Sequence, residues 1–276
     1  MSSSKSQVRP IVIAANWKMH KLRNEAMSYL DELAAWMDDH PHGLGTRVEV
    51  VVAPPFTSLE LAVEHCPPNA RIYSQNMHQE DHGAFTGEVS PAMLRDLGVD
   101  GVVLGHSERR QYFGEHDAAL AEKVVAAAEF GLRPMLCVGE TLEERQAGRA
   151  EEVVRDQLEI ALGDLDVIKA TSSGLSIAYE PVWAIGTGET ATPQIAQHLH
   201  AVIRETLSSI FNSDIAERIS VLYGGSVKPG NAAELLANPD IDGALVGGAA
   251  LEVESFSGII GAALDLVAVP SGNGAG

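Results

Sequence analysis

The chain has 276 residues, 45% of them hydrophobic and 21% charged, which is typical of a globular protein with a substantial core. Its formal net charge is −19, with six lysines among 19 basic residues, which argues against general binding to nucleic acid or anionic membranes. The apolar runs are too short to span a bilayer. Two cysteines, Cys66 and Cys137, give no disulfide framework, so we expect a cytoplasmic location.

Short apolar, β-branched runs predict eight strands, at 11–15, 48–53, 71–75, 101–105, 133–138, 175–180, 219–223 and 243–246. Segments with helical spacing lie between several of these runs, at 25–37, 118–130, 151–162, 193–210 and 231–237. Alternating strands and helices indicate repeated βαβ units. Eight such units in a chain of this length favour an α/β fold with a single closed, parallel (β/α)₈ barrel. The alternative is an open doubly wound sheet, but no Gly-x-Gly-x-x-Gly follows the first strand.

The ends of the chain differ in composition from its middle. No linker-like stretch divides the sequence, so we expect one barrel domain over residues 9–267. The polar, Ser-rich residues 1–8 are expected to be a disordered lead-in, and residues 268–276 a flexible tail. The apolar run at 11–15 is too short for the core of a signal peptide.

Polar side chains follow several of the predicted strands. In a (β/α)₈ barrel the active site lies at the carboxyl ends of the strands. The residues expected there are Asn16, Lys18, His106, Glu108 and Glu180, with glycine pairs at 224–225 and 247–248. Glu180 ends an apolar strand, Pro181 stops that strand, and an apolar loop with two glycines follows. A base beside a hydrophobic lid suits proton transfer away from water.

These residues lie in motifs that resemble the triosephosphate isomerase family. The motifs are Asn16-Trp17-Lys18-Met19, Gln75-Asn76-Met77-His78-Gln79-Glu80 with Gly83-Ala84-Phe85-Thr86-Gly87-Glu88, Gly105-His106-Ser107-Glu108-Arg109-Arg110, Tyr179-Glu180-Pro181-Val182-Trp183-Ala184-Ile185-Gly186-Thr187-Gly188, Tyr223-Gly224-Gly225-Ser226-Val227 and Val246-Gly247-Gly248-Ala249. The resemblance runs from Arg9 to Leu266. One motif alone is moderately specific, whereas six in the same order are highly specific.

The resemblance implies isomerisation of dihydroxyacetone phosphate and D-glyceraldehyde 3-phosphate through an enediolate, in glycolysis and gluconeogenesis, without a metal or coenzyme. Glu180 would be the base, and His106, as a neutral imidazole, would polarise the carbonyl oxygen. Lys18 would supply positive charge, and Asn16 would position substrate oxygens. Glu108 has two open interpretations, as a catalytic carboxylate or as a structural partner of Arg109 or Lys18.

The resemblance also implies a phosphate site and a lid. The phosphate would bind backbone N–H groups of Gly186, Ser226, Gly247 and Gly248. The lid would comprise Pro181, Val182, Trp183, Ala184, Ile185, Gly186, Thr187 and Gly188. Ile185 and Leu245 would remove water from around Glu180; this family is itself a standard example of such loop closure.

The segment 75–88 resembles the dimerisation loop of the family. The resemblance implies a homodimer in which Gln75, Phe85 and Thr86 belong to the interface, with Thr86 reaching toward Asn16 and Lys18 of the partner. A surface loop packed only against its own chain is the alternative.

Three other interpretations compete with the isomerase. A Schiff-base aldolase on the same barrel would use Lys18 as its nucleophile. A non-catalytic barrel would be expected to lose Glu180 or Lys18. A metal site at the histidine pairs 78 and 82 or 198 and 200 lacks a third ligand in a usual pattern.

Overall fold

Eight parallel strands form a closed barrel. The structure, a computed structural model, describes residues 9–184 and 191–268. The strands are β1 (Ile11–Asn16), β2 (Val48–Ala53), β3 (Ala70–Ser74), β4 (Gly101–Leu104), β5 (Arg133–Val138), β6 (Ser176–Tyr179), β7 (Ser220–Tyr223) and β8 (Gly243–Val246). Each strand pairs with the next, and β1 pairs with β8 to close the sheet. The predicted (β/α)₈ barrel is confirmed, with each strand within one residue of its predicted ends.

Helices connect the strands and surround the barrel. Those in the described residues are α1 (Arg23–Asp39), α2 (Leu59–Glu64), α3 (Pro91–Asp96), α4 (Ser107–Phe113), α5 (Asp117–Glu129), α6 (Leu142–Gln146), α7 (Ala150–Leu162), α8 (Val167–Ser172), α9 (Pro193–Ile210), α10 (Ser213–Ala216), α11 (Pro229–Leu236) and α12 (Val253–Ala268). Among residues 9–184 and 191–268, no helix is both long enough and apolar enough to cross a membrane.

Strand alternation explains how the sequence places its polar residues. Successive side chains of a strand point to opposite faces. In β1, Ile11 and Ile13 join the core between the strands and helices, whereas Val12 and Ala14 fill the barrel interior. The next inward position after Ala14 is Asn16, the last residue of the strand, which is buried.

The same two-residue step operates in three other strands. Three interior residues, Ala178, Leu222 and Leu245, each have an inward position two residues later in the chain. Those positions are Glu180, Gly224 and Gly247. Four strands therefore bring inward-facing positions to one end of the barrel, where their side chains or backbones surround a common space.

Candidate active site

A cavity of about 860 Å³ lies at the carboxyl ends of the strands. Its wall contains every side chain predicted to be catalytic, namely Asn16, Lys18, His106, Glu108 and Glu180. Ser226, Gly247, Gly248 and Leu245 also line it. The barrel therefore brings together residues that are spread over most of the chain. Ile185, Gly186, Thr187 and Gly188, the remainder of the predicted lid, lie outside the described residues.

Glu180 is almost fully buried, with 2% of the residue exposed. Its carboxylate accepts hydrogen bonds from the Ser107 backbone N–H (2.8 Å) and the Ser107 hydroxyl (3.2 Å). His106 Nε2 lies 3.1 Å from Glu180 Oε1. Ser107 is the first residue of α4, so the helix N-terminus stabilises the negative charge of Glu180. This role of Ser107 was not predicted from the sequence.

His106 owes its position to the turn that precedes it. Gly105 has φ = 71°, in the left-handed region that glycine adopts without strain. This turn makes His106 the N-cap of α4, where its Nδ1 accepts the backbone N–H of Glu108 at 3.2 Å. A ring nitrogen accepts a hydrogen bond only when it carries no proton, so this contact favours the tautomer whose N–H is at Nε2. That N–H faces Glu180 and the cavity.

Lys18 is held beside Asn16 and Glu108. Its backbone has φ = 54°, which is uncommon for a residue with a side chain, and its N–H donates to Asn16 Oδ1 at 3.0 Å. Its Nζ lies 2.6 Å from Glu108 Oε1. Arg109 lies instead near Glu115, with its Nε at 3.5 Å from the carboxylate. Of the two structural partners considered for Glu108, the structure therefore pairs it with Lys18.

Gly224, in the glycine pair at 224–225, has a packing role that was not predicted from the sequence. A Cβ on Gly224 would lie 2.8 Å from Glu180 Cγ and 3.1 Å from the Tyr179 carbonyl oxygen. Those distances are too short for a side chain at this position. Gly224 therefore leaves room for the Glu180 side chain, in addition to any contribution of this turn to phosphate binding.

A buried carboxylate, Glu140, holds the first residues of the predicted lid. Glu140 is fully buried at the end of β5 and accepts hydrogen bonds from Trp183 Nε1 at 2.8 Å and the Tyr179 hydroxyl at 3.0 Å. Arg145 lies 3.3 Å from the same carboxylate and 4.4 Å from the centre of the Trp183 ring. Burial and the nearby Glu140 charge raise the pKa of Tyr179 above its usual value. Glu140 follows β5 as Glu180 follows β6, and that placement was the available sequence signal.

His198 and His200, one of the two histidine pairs considered for a metal site, have different surroundings. His198 is exposed and lies 2.7 Å from Glu151, whereas His200 is buried between the rings of Tyr179 and Tyr223. Burial lowers the pKa of His200 to about 4, so its imidazole is neutral. In the described part of the chain, no three His, Cys, Asp or Glu side chains are grouped closely enough to hold a metal ion.

The loop at 75–88 combines internal contacts with exposed apolar groups. Gln75 donates to the carbonyl oxygens of Lys18 (2.9 Å) and Ala53 (2.8 Å), so it braces the ends of β1 and β2 within its own chain. Phe85 and Thr86 are exposed. Other large apolar side chains that are exposed include Met19 on the loop after β1, and Tyr112 and Phe113 at the end of α4.

Comparison with known proteins agrees with this geometry. The sequence model of the triosephosphate isomerase family matches residues 11–263. The triosephosphate isomerase of Carboxydothermus hydrogenoformans is 51% identical over 254 residues, covering 92% of this chain and 98% of the relative. That of Chloroflexus aurantiacus is 50% identical over 250 residues, covering 90% and 97%, and that of Fusobacterium nucleatum is 47% identical over 254 residues, covering 92% and 98%. The chain therefore belongs to the triosephosphate isomerase family.

Proposed function

We propose that Glu180 is the base with which this enzyme moves a proton between neighbouring carbons of a triose phosphate. As a member of its family the chain is an intramolecular oxidoreductase that interconverts dihydroxyacetone phosphate and D-glyceraldehyde 3-phosphate, a step of glycolysis and gluconeogenesis. The observation that carries the residue assignment is the pairing of a buried carboxylate with an imidazole, 3.1 Å apart, in one cavity. Glu180 would leave Ser107, take a proton from one carbon and return it to the next.

The enediolate intermediate needs hydrogen-bond donors at its oxygens. His106 Nε2–H is the donor aimed into the cavity, and the ammonium of Lys18 is a charged donor in the same wall. The amide of Asn16 would position the substrate oxygens. Glu108 would hold Lys18 in place through their 2.6 Å ion pair. This chemistry uses side chains alone and needs neither a metal nor a coenzyme.

The phosphate and lid assignments rest on the family. We assign phosphate binding to the backbone N–H groups of Ser226, Gly247, Gly248 and Gly186. Residues 181–188 would close over the bound substrate, with Ile185 and Leu245 excluding water from Glu180. The hydrogen bond from Trp183 to Glu140 supports a fixed starting point for this lid.

A coupled assay of the purified, chelator-treated chain tests the function. We expect interconversion of the two triose phosphates in both directions, with no added metal or coenzyme. Borohydride added with dihydroxyacetone phosphate should trap no adduct, because Lys18 Nζ is held 2.6 Å from Glu108 and a Schiff base needs a nitrogen that is free to attack the carbonyl carbon. A covalent adduct on Lys18 would favour the aldolase instead, and a complete absence of turnover would leave only a non-catalytic barrel.

We also propose that the enzyme acts as a homodimer. Exposed side chains support an interface formed by the loops after β1 and β3 together with the end of α4; they are Met19, Phe85, Thr86, Tyr112 and Phe113. Apolar groups of this size on a protein surface often mark contacts with another chain. Thr86 of each subunit would approach Asn16 and Lys18 of the other.

Phe85→Glu tests the dimer, with Ile168→Glu as its control. Sedimentation at micromolar concentration should give the wild type twice the 29.3 kDa mass of the chain, whereas Phe85→Glu should shift the equilibrium toward monomer because it buries a charge in the interface. Ile168 is also exposed but lies on α8, away from these loops, so its variant should remain dimeric. A monomeric wild type would contradict the proposal.

We further propose one barrel domain and a cytoplasmic location. Cys66 and Cys137 are both free thiols, and Cys137 is buried in the barrel. Unpaired cysteines suit a reducing compartment, where the glycolytic step also belongs. Fractionation of the native host should recover the chain with the cytoplasmic enzymes.

A further inference from the structure

The charged side chains that line the cavity cancel one another. Among the described residues of its wall, Lys18 and Lys228 are the cations and Glu108 and Glu180 are the anions, so their formal charges sum to zero. A phosphate monoester carries a charge of about −1.5 to −2 at pH 7. Without Lys228 the wall would carry a net charge of −1, in a chain whose own charge of −19 already repels anions.

Lys18 alone does not make the cavity wall attract a phosphate anion. Its ammonium lies 2.6 Å from the Glu108 carboxylate, so at a distance the two form a nearly neutral pair. Glu108 Oε2 also lies 3.6 Å from His106 Nδ1. An approaching phosphate therefore meets little net positive charge on this side of the cavity.

Lys228 occupies a different electrostatic setting. It is exposed, and within the ranges 9–184 and 191–268 no Asp or Glu oxygen forms an ion pair with its ammonium. It is the N-cap residue of the eight-residue helix α11, whose first turn contains no acidic residue. Helix N-termini favour anions, so a lysine there adds its charge to the positive end of the helix dipole. The two positive contributions lie together at the cavity edge, and nothing described there neutralises them.

We propose that Lys228 steers a phosphate dianion toward this cavity, and that it thereby raises kcat/KM for phosphorylated trioses but not for unphosphorylated ones. The inference rests on the proposed isomerase function and extends it to substrate capture. Lys228 acts by charge at a distance, so its contribution depends on ionic strength, and arginine should replace it.

The test compares three variants of the full-length enzyme. Lys228→Gln removes the charge, Lys228→Arg keeps it, and Lys169→Gln makes the same change in net charge on α8, where Lys169 pairs with Glu129 far from the cavity. At low ionic strength we expect kcat/KM for D-glyceraldehyde 3-phosphate to fall about 3- to 10-fold in Lys228→Gln. Lys228→Arg and Lys169→Gln should stay near the wild type. The loss should shrink toward zero at about 0.5 M salt, where screening is strong.

Unphosphorylated glyceraldehyde distinguishes a loss of phosphate attraction from a structural change in the Lys228→Gln variant. The Lys228→Gln variant should turn it over at the wild-type kcat/KM, because this substrate has no phosphate to attract. An equal loss on both substrates, or an equal loss in Lys169→Gln, would overturn the proposal. So would an unchanged kcat/KM for the phosphate ester in Lys228→Gln. A wild-type enzyme with no activity on either compound would instead refute the proposed function.

Discussion

Replacing Glu180 with glutamine should lower kcat by about 10³- to 10⁴-fold. The amide has nearly the same shape as the carboxylate and still accepts the Ser107 N–H bond, which is 2.8 Å in the native chain. It has no basic oxygen with which to take a proton from the substrate carbon. The loss should therefore appear in kcat with little change in KM, and a coupled assay at saturating substrate measures it.

Two further carboxylate variants control this prediction. Glu180→Asp keeps the base but withdraws it by one methylene, so we expect an intermediate loss of about 10²-fold. Glu108→Gln alters the other carboxylate of the described cavity wall and should cost less than Glu180→Gln, because Glu108 contacts Lys18 and is not the proposed base. The assignment would be wrong if Glu108→Gln were the most damaging of the three while all kept the wild-type melting temperature.

The second large effect concerns stability, at the opposite end of the barrel. Asp242 is 2% exposed and accepts hydrogen bonds from Arg204 Nη2 (2.6 Å), Arg9 Nε (2.8 Å) and the Val221 N–H (3.1 Å). Asp242→Ala would leave the buried Arg204 without this partner. We expect the free energy of unfolding to fall by about 3–5 kcal/mol in urea titrations. Because Asp242 precedes β8, away from the cavity, kcat of the folded enzyme should be unchanged.

Glu205→Ala is the matched control for burial. Glu205 Oε2 lies 2.7 Å from Arg155 Nη2, about as close as the Asp242 contacts, but the Glu205 side chain is 68% exposed. Solvent screens such a pair, so its loss should change the free energy of unfolding by less than about 1 kcal/mol. Similar costs for the two variants would show that burial is not what makes the Asp242 pairs important.

Much of the fold could be predicted from the sequence because its strands are buried on both faces. A strand between the barrel interior and the surrounding helices is apolar throughout, so runs such as 48–53 and 133–138 stand out. Helix α12 was not predicted. It packs against α1, α11 and the first two strands, and its buried residues Val253, Phe256, Ile260 and Ala263 recur at helical spacing, so the signal for this helix was present in the sequence.

The site could be predicted only in part. The two-residue alternation of strands and the family motifs indicated which side chains meet at the barrel end, and Asn16, Lys18, His106, Glu108 and Glu180 do line one cavity. The partners within the cavity were not predictable. Contacts such as Ser107 with Glu180 depend on how separate strands and turns align, and no local pattern in the sequence records that alignment.

Exchange of solvent hydrogen into the product tests the central claim most directly. The wild-type enzyme would be run in D₂O with D-glyceraldehyde 3-phosphate, and the dihydroxyacetone phosphate formed would be analysed by proton NMR. If Glu180 shuttles the proton through an enediolate, part of the product should carry deuterium at the carbon that receives it, and Glu180→Gln should abolish this labelling. Turnover at the wild-type rate with no deuterium in the product would contradict the mechanism.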